Sequence, residues 1–477
     1  MQTDTLVRTT PRPRASGPRA PGPHAPGRSA LWGLEARALI KLAAPLILTQ
    51  LAQMAILSTD IVMLGRLSRT ALASAAIGNT VYYFAWLIGS GPPAAIAPVI
   101  AHIVGDGGFD RAQVRAAVRM GLWACAILAA PLMIMLLCAR PILIALHQDP
   151  VLATGAGQFV GMLSFGLFFA LAFQVLRNFA TALGHPRATL WVMGVTIGYN
   201  ALADYALIFG HFGFPALGLR GSGIATASSA AFAFFALLII VQANPTLRAY
   251  RIFRRFGRPV AAKLAEILRL GMPIGMTMIF EAMLFNAMTL VMGTFGANSV
   301  AAHQIALNFA SVTFMVPLGV AMAATVRVGL AAGAGDQRGA RRASYVALSV
   351  GAGFMALCGV AMILAGPQIA ALYLGGRTSD DLKVLALASL FLKVAAAFQV
   401  FDALQVVGAM SLRGLKDARW PMVLAGGAYW LVGAPVCLIL GVSLHMQGLG
   451  IWLGLAAGLA AAAAAMVARL TWMTREA

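Results

Sequence analysis

Charge is scarce in this sequence. Only 10% of its 477 residues are Asp, Glu, Lys or Arg, against 60% apolar, and the mean hydropathy is +0.83. A soluble domain carries roughly 25% charged residues to meet water. A chain with less than half of that cannot coat its own surface, and it reads as an all-α polytopic membrane protein. Acidic residues are scarcer still, 15 against 35 basic ones, for a formal charge of +20. In a soluble protein that balance would suggest nucleic acid. Here the Lys and Arg cluster between apolar runs, which is membrane topology and not a nucleic-acid face. Cysteine is nearly missing. Cys125, Cys138, Cys358 and Cys437 fall inside apolar runs at no metal-ligand or disulfide spacing and are expected to pack as small hydrophobes.

Several chemical signatures are also missing. None of the lysines (Lys41, Lys263, Lys383, Lys393, Lys416) follows a glycine, so there is no Gly-Lys-[Ser/Thr] loop to cradle phosphates. Active transport by such a chain must run on an ion gradient. Neither Gly-x-Ser-x-Gly nor His-Glu-x-x-His occurs, so the commonest hydrolase and zinc-protease sites are excluded. The chain is expected to be no enzyme and to need no cofactor beyond a coupling ion, Na+ or H+.

What is present is a set of twelve apolar runs bounded by Gly, Pro and charge, six from roughly residue 39 to 242 and six from roughly 266 to 470. The longest are expected to tilt or kink at internal prolines such as Pro92, Pro93 and Pro317. The opening residues are rich in Pro, Gly and Arg without an apolar core, so residues 1–34 read as a disordered basic arm against lipid and not as a cleaved signal. Placing the N-terminus inside leaves only Arg66, Arg69, Arg140, Arg220, Arg377 and Lys383 outside, with Lys393 in a span. The positive-inside rule therefore sets both termini in the cytoplasm.

The halves resemble each other. Pro45…Leu64-Gly65 matches Pro273…Met292-Gly293 at a constant offset, Gly105-Asp106…Arg111 resembles Gly335-Asp336…Arg338, and Gln174…Arg187 parallels Gln405…Arg419. Six helices per repeat insert both halves the same way up, around an axis along the membrane normal. The domain reading is an N-lobe over 35–243, a basic cytoplasmic linker over 244–263 and a C-lobe over 264–477.

Four carboxylates sit within the apolar runs: Asp60, Asp204, Glu281 and Asp402. A charge at the bilayer centre costs about 2.5–3.5 kcal/mol on insertion scales, so four of them mark function more than incidental hydrogen bonding. Topology puts Asp60, Asp204 and Thr226 at a similar level in the outer half. Asn200, four residues before Asp204, shares its helical face. Two carboxylates, an amide and a hydroxyl make a hard-oxygen set for a small cation or a shared proton. Glu281 and Asp402 are expected to face a central cavity from the second half. Met278, Phe280, Phe285 and Met288 on the seventh helix, with His303 and Tyr429, are secondary candidates for an adaptable substrate wall, against plain packing.

These residues carry a resemblance over about 35–470. Ser58-Thr59-Asp60-Ile61-Val62-Met63-Leu64-Gly65, Arg177-Asn178…Gly184-His185-Pro186, Asn200…Asp204-Tyr205, Glu281, Ala301-Ala302-His303-Gln304-Ile305 and Tyr429-Trp430…Gly433…Pro435 are similar to the multidrug and toxic compound extrusion (MATE) transporters, NorM-like branch. The resemblance implies a twelve-helix, two-lobed bacterial inner-membrane antiporter that expels amphipathic, often cationic organic compounds in exchange for sodium or protons, and the chain is expected to act as a monomer. It further implies that Asp60, Asn200, Asp204 and Thr226 form a cation site, with Glu281 and Asp402 as coupling carboxylates of the second lobe. NorM-like members often carry asparagine where this chain has Asp204, which leaves the coupling ion, and the lobe that holds it, open. A lipid-linked precursor flippase of the same superfamily is the nearest alternative, expected to show an Arg-lined groove that the sequence lacks. An intramembrane enzyme using a carboxylate pair is a remote one.

Overall fold

The computed structural model describes residues 28–107, 110–254, 256–374 and 379–475. Residues 1–27 of the expected basic arm, and Arg377, lie outside the described residues. The remainder of that arm is a correction: residues 28–34 are already helical, since the first helix starts at Arg28. Glu35, buried and paired with Arg327, anchors that start.

Twelve helices are long and apolar enough to cross a membrane, and among the described residues there is no strand. They are α1 (Arg28–Leu67), α2 (Arg69–Gly105), α3 (Arg111–Leu137), α4 (Pro150–Ala182), α5 (Pro186–Phe209) and α6 (Leu219–Ala243). The second six are α7 (Ala261–Gly293), α8 (Ala297–Gly333), α9 (Gln337–Ala371), α10 (Ser379–Gly414), α11 (Arg419–Ser443) and α12 (Gln447–Met473).

Local chemistry explains the boundaries. Asp110 caps α3, accepting from the N–H groups of Ala112 at 2.9 Å and Gln113 at 3.2 Å, and Asp149 caps α4 ahead of Pro150. The bonds from Gln113 and Ala112 hold the Asp110 carboxyl below the usual carboxylate range. The helix is unbroken through Pro92, Pro93 and Pro98 in α2 and through Pro317 in α8. Backbone leaves helical geometry instead at Ala365 in α9 (φ −115°, ψ 19°), two residues before Pro367, which has no N–H to donate to the Ile363 carbonyl. In α11 two stretches, Ala428–Gly433 and Ile439–Ser443, are π-helical.

The repeat is visible in side-chain detail. Thr49 Oγ1 donates to the Pro45 carbonyl at 2.7 Å, and Thr277 Oγ1 donates to the Pro273 carbonyl at 2.9 Å, so each proline's helix carries the same local bond. Each half also has its own apolar core, and the two exchange one helix start. Leu39, Ala43 and Leu46 of α1 pack into the second core, while Ile267 of α7 packs into the first. The lobes are thereby joined at the end of the molecule that holds both described termini. A Cβ on Gly105 would collide with the Leu330 carbonyl of α8 there, and one on Gly271 with Pro92 of α2.

Between the lobes, Pro245–Arg248 forms a single helical turn, the described residues 249–254 and 256–260 are irregular, and α7 starts at Ala261, inside the 244–263 span expected as linker. Arg119 of α3 donates to the carbonyls of Ile252, Arg251 and Arg254, Trp123 Nε1 donates to Gly257 O at 3.2 Å, and Val260 N–H reaches Met120 Sδ at 3.4 Å. All four cysteines are free. Cys125 and Cys437 are buried as expected, but Cys138 is exposed, because it closes α3 at the surface.

Candidate functional site

Two clusters of membrane-depth carboxyls emerge, one per lobe. In the first, Asp60 (α1), Asn200 and Asp204 (α5) are buried together beside Thr226 (α6). Thr226 Oγ1 contacts Asp60 Oδ2 at 3.2 Å while also lying 3.0 Å from the Ser222 carbonyl of its own helix. The carboxyls of Asp60 and Asp204 come within hydrogen-bonding reach of each other, with Asn200 beside the first and Ser222 beside the second. Yet Asp60 Oδ1, both Asp204 oxygens, Asn200 Oδ1 and Ser222 Oγ have no partner. Two buried carboxylates left so would repel and lose solvation with nothing in return, so the arrangement demands a proton or a cation between them. No group of three or more His, Cys, Asp or Glu side chains is suited to a metal ion among the described residues. Any cation here would therefore be held by two carboxylates helped by neutral oxygens, a donor set that fits a monovalent ion.

Asp60 also belongs to the wall of a cavity of about 560 Å³, lined by the first lobe and by Asn286 of α7. Its lining follows helical faces. Gln53, Ile56 and Asp60 line one side from α1, and Asn79, Tyr83 and Trp86 another from α2. Thr196 stands four residues before Asn200 on α5, and Thr226, Ser229 and Ala233 share a face of α6. The Tyr83 and Trp86 rings stack with centroids 6.1 Å apart and planes 15° apart. Gln53, Asn79, Tyr83, Trp86 and Gln174 are not among the sequence-predicted site residues; Gln53 carries a signal, seven residues before Asp60 on the same face of α1, and Asn79, Tyr83 and Trp86 recur at four and three residues along one face of α2.

In the second cluster, Asp402 is buried in α10 with Oδ1 unpartnered, within charge–charge range of half-buried Glu281 in α7, and the fully buried Tyr429 adjoins Glu281. The π-helical stretch of α11 carries Tyr429. Arg413, at the end of α10, is buried and close enough to Glu281 to act on its charge. Sequence reasoning had put Arg413 in a connection, and Arg177 likewise. Arg177 is in fact buried within α4, five residues before its end, donating to Gln50 Oε1 at 3.2 Å. The two arginines lie in different lobes, and neither lines the large cavity.

The secondary wall residues are distributed otherwise. Met288 is in the second core. Phe280 packs on Gly426, and Phe285 meets Phe398 edge-on at 5.9 Å. Met278 receives a long contact of 3.9 Å from Ser90 across the lobe boundary. His303 is fully buried, its Nε2 3.1 Å from Thr289 Oγ1 and its ring edge-on to Trp452. None of these, nor Tyr429, lines the large cavity; α7 contributes Asn286 to it.

Twelve membrane-spanning helices in two pseudo-repeated bundles, with the buried carboxyl of Asp60 on the wall of a cavity, define a polytopic membrane transporter and not an enzyme. The MatE family model matches residues 45–206 and 273–439, the two repeats in turn. The chain belongs to the MATE family. It is 41% identical over 438 residues to the probable multidrug resistance protein NorM of Brucella suis biovar 1, covering 92% of this chain and 93% of that one. It is 38% identical over 418 residues to the multidrug resistance protein NorM of Burkholderia vietnamiensis, covering 87% and 89%. The crystal structure of the eukaryotic MATE transporter AtDTX14 superposes with a TM-score of 0.81 at 20% identity, covering 92% of this chain and 96% of that one.

Proposed function

We propose that the protein exports amphipathic organic cations from the cytoplasm in exchange for sodium ions or protons. One observation carries this: Asp60 is at once a member of the unsatisfied carboxyl pair and part of the wall of the aromatic-lined cavity. Ion and organic cation then compete for the same charge. An ion entering from outside joins Asp60 to Asp204 and lowers drug affinity, and drug arriving from inside displaces it. A ligand moves a two-state equilibrium only through such differential affinity, so competition at one carboxylate suffices for antiport by alternating access. The stacked Tyr83 and Trp86 rings give a planar cation a π-face.

Asn200 and Thr226 complete the oxygen set of that site. Glu281 and Asp402 form a second coupling pair, with Tyr429 alongside and Arg413 as a nearby counter-charge. The six residues around α7 play the smaller part of shaping the second lobe's interior. Each chain holds a whole cavity and acts as a monomer in the inner membrane, N-lobe and C-lobe pivoting with both termini cytoplasmic. The drug-resistance names of the relatives favour drug export over flipping of lipid-linked precursors, and the arginines a lipid phosphate would need are away from the cavity.

The test is efflux of a fluorescent organic cation from liposomes under an imposed pH gradient and, separately, an imposed sodium gradient. Wild type is expected to respond to one of the two, Asp204→Asn to lose that response, and Asp402→Asn to insert normally without extruding. No efflux under either gradient refutes cation antiport.

A further inference from the structure

A second cavity, about 340 Å³, opens at the end of the molecule that holds both described termini, where the lobes meet. The first lobe supplies Val99 and Ile103 from α2 and Gln113 from the first turn of α3; the second supplies Lys263 and Glu266 from the start of α7, and Lys416 from the turn between α10 and α11. Lys416 is held there by a left-handed backbone (φ 60°), and the neighbouring Gly414 carbonyl is pinned 2.7 Å from His102 Nε2 of α2. Asp417, the next residue, is already occupied by Arg469 at 3.0 Å.

Two lysines thus line one cavity, and neither forms an ion pair among the described residues. The carboxylates nearby are Glu266 on the wall and Asp110, which acts on Lys263 but is spent on capping its own helix. Lysine binds phosphate as a point charge, the Gln113 amide adds a donor, and the apolar α2 face suits the carbon skeleton of an ester. The volume accommodates a phosphate group with a substituent of glycerol size.

We infer that this cavity binds a phosphate-bearing anion, with Lys263 and Lys416 as its charged contacts and Gln113 as a neutral one. Since its walls come from both lobes, the site exists only while this end is closed, and an occupant holds the transporter in that state. The ligand chemistry is shared by an anionic phospholipid headgroup and a free phosphate or phosphate monoester.

Calorimetric titration of the purified full chain in detergent distinguishes these. The probes are inorganic phosphate, dihexanoyl-phosphatidylglycerol and, as the neutral control, dihexanoyl-phosphatidylcholine. Saturable binding of phosphatidylglycerol alone assigns a headgroup, and binding of inorganic phosphate assigns a soluble ligand. In either case Lys263→Gln and Lys416→Gln should each weaken binding about tenfold, while Lys383→Gln at the opposite end leaves it unchanged. Both lysines are exposed, so their substitution spares the fold. Absence of binding by both anionic probes, equal affinity for phosphatidylcholine, or wild-type affinity in the double lysine variant overturns the assignment.

Discussion

Glu35 in α1 accepts two hydrogen bonds from one guanidinium, Arg327 Nε at 2.8 Å and Nη2 at 2.6 Å, across 292 residues and across the boundary between the lobes. The carboxylate side chain is 8% exposed and the arginine 31%, so the pair sits half out of water, where a forked geometry is favoured over two separate solvated charges. With the Gly105 and Gly271 contacts it closes the end of the transporter where the described termini lie.

Breaking this pair should release that closure. Arg327→Gln leaves a buried carboxylate alone, at a cost of about 2 kcal/mol to the closed state, or roughly thirtyfold in the conformational equilibrium. In a cysteine-free background, Ala97→Cys, 8% exposed at the lobe boundary, should then be labelled faster by a maleimide applied from the side of the described termini. Exchanging the two charges, Glu35→Arg with Arg327→Glu, should return labelling toward wild type. Unchanged labelling in Arg327→Gln would show that the pair does not hold the gate.

Close approach of the lobes should be equally sensitive to bulk. Gly105→Leu places a side chain against the α8 backbone, so the protein should reach the membrane yet lose most drug efflux, with the same Ala97→Cys probe labelled without drug. Normal efflux in this variant would mean that α2 and α8 need not touch.

Thr226→Val removes a hydroxyl from Asp60 while keeping shape. Hydrogen bonds to charged groups contribute about 1.5–3 kcal/mol, so the ion concentration for half-maximal efflux should rise about tenfold with little change in maximal rate. A fall in maximal rate alone would place Thr226 outside ion binding.

Substrate binding should separate the two lobes. Trp86→Ala is expected to weaken binding of an organic cation about fivefold by fluorescence titration, through loss of the cavity's π-face. Met288→Ala should leave that affinity alone and instead lower thermal stability by about 2–5 kcal/mol, as expected for truncating a fully packed core side chain. The reverse pattern would move the substrate to the second lobe.

The parts of this molecule legible in sequence are those in which the bilayer imposes a penalty. Twelve apolar runs and the carboxyls of Asp60, Asp204, Glu281 and Asp402 stand out because burying either polar backbone or charge in lipid is costly. The cavity was half legible: Asp60 was found, while Tyr83 and Trp86 passed as ordinary apolar residues because an aromatic on a helix looks the same whether it faces lipid, core or cavity. Arg177 and Arg327 count with the cytoplasmic connections in the charge tally although they lie inside apolar runs, and Arg413 falls just past the end of its run, whereas all three lie within helices. Glu35–Arg327 depends on which residues meet across a lobe boundary, which no local pattern encodes.

The irregular segment between the lobes has a mechanical consequence. Its carbonyls at Arg251, Ile252, Arg254 and Gly257 are stitched to Arg119 and Trp123, and its last amide, Val260, to Met120. What looks like a twelve-residue leash is therefore cargo riding on α3, leaving almost no slack before α7. The anchorage to the first bundle runs on past Ala261, since Ile267 lies in the first core and Gly271 against Pro92, so lengthening the leash is expected to change little unless the Arg119 stitch is cut first.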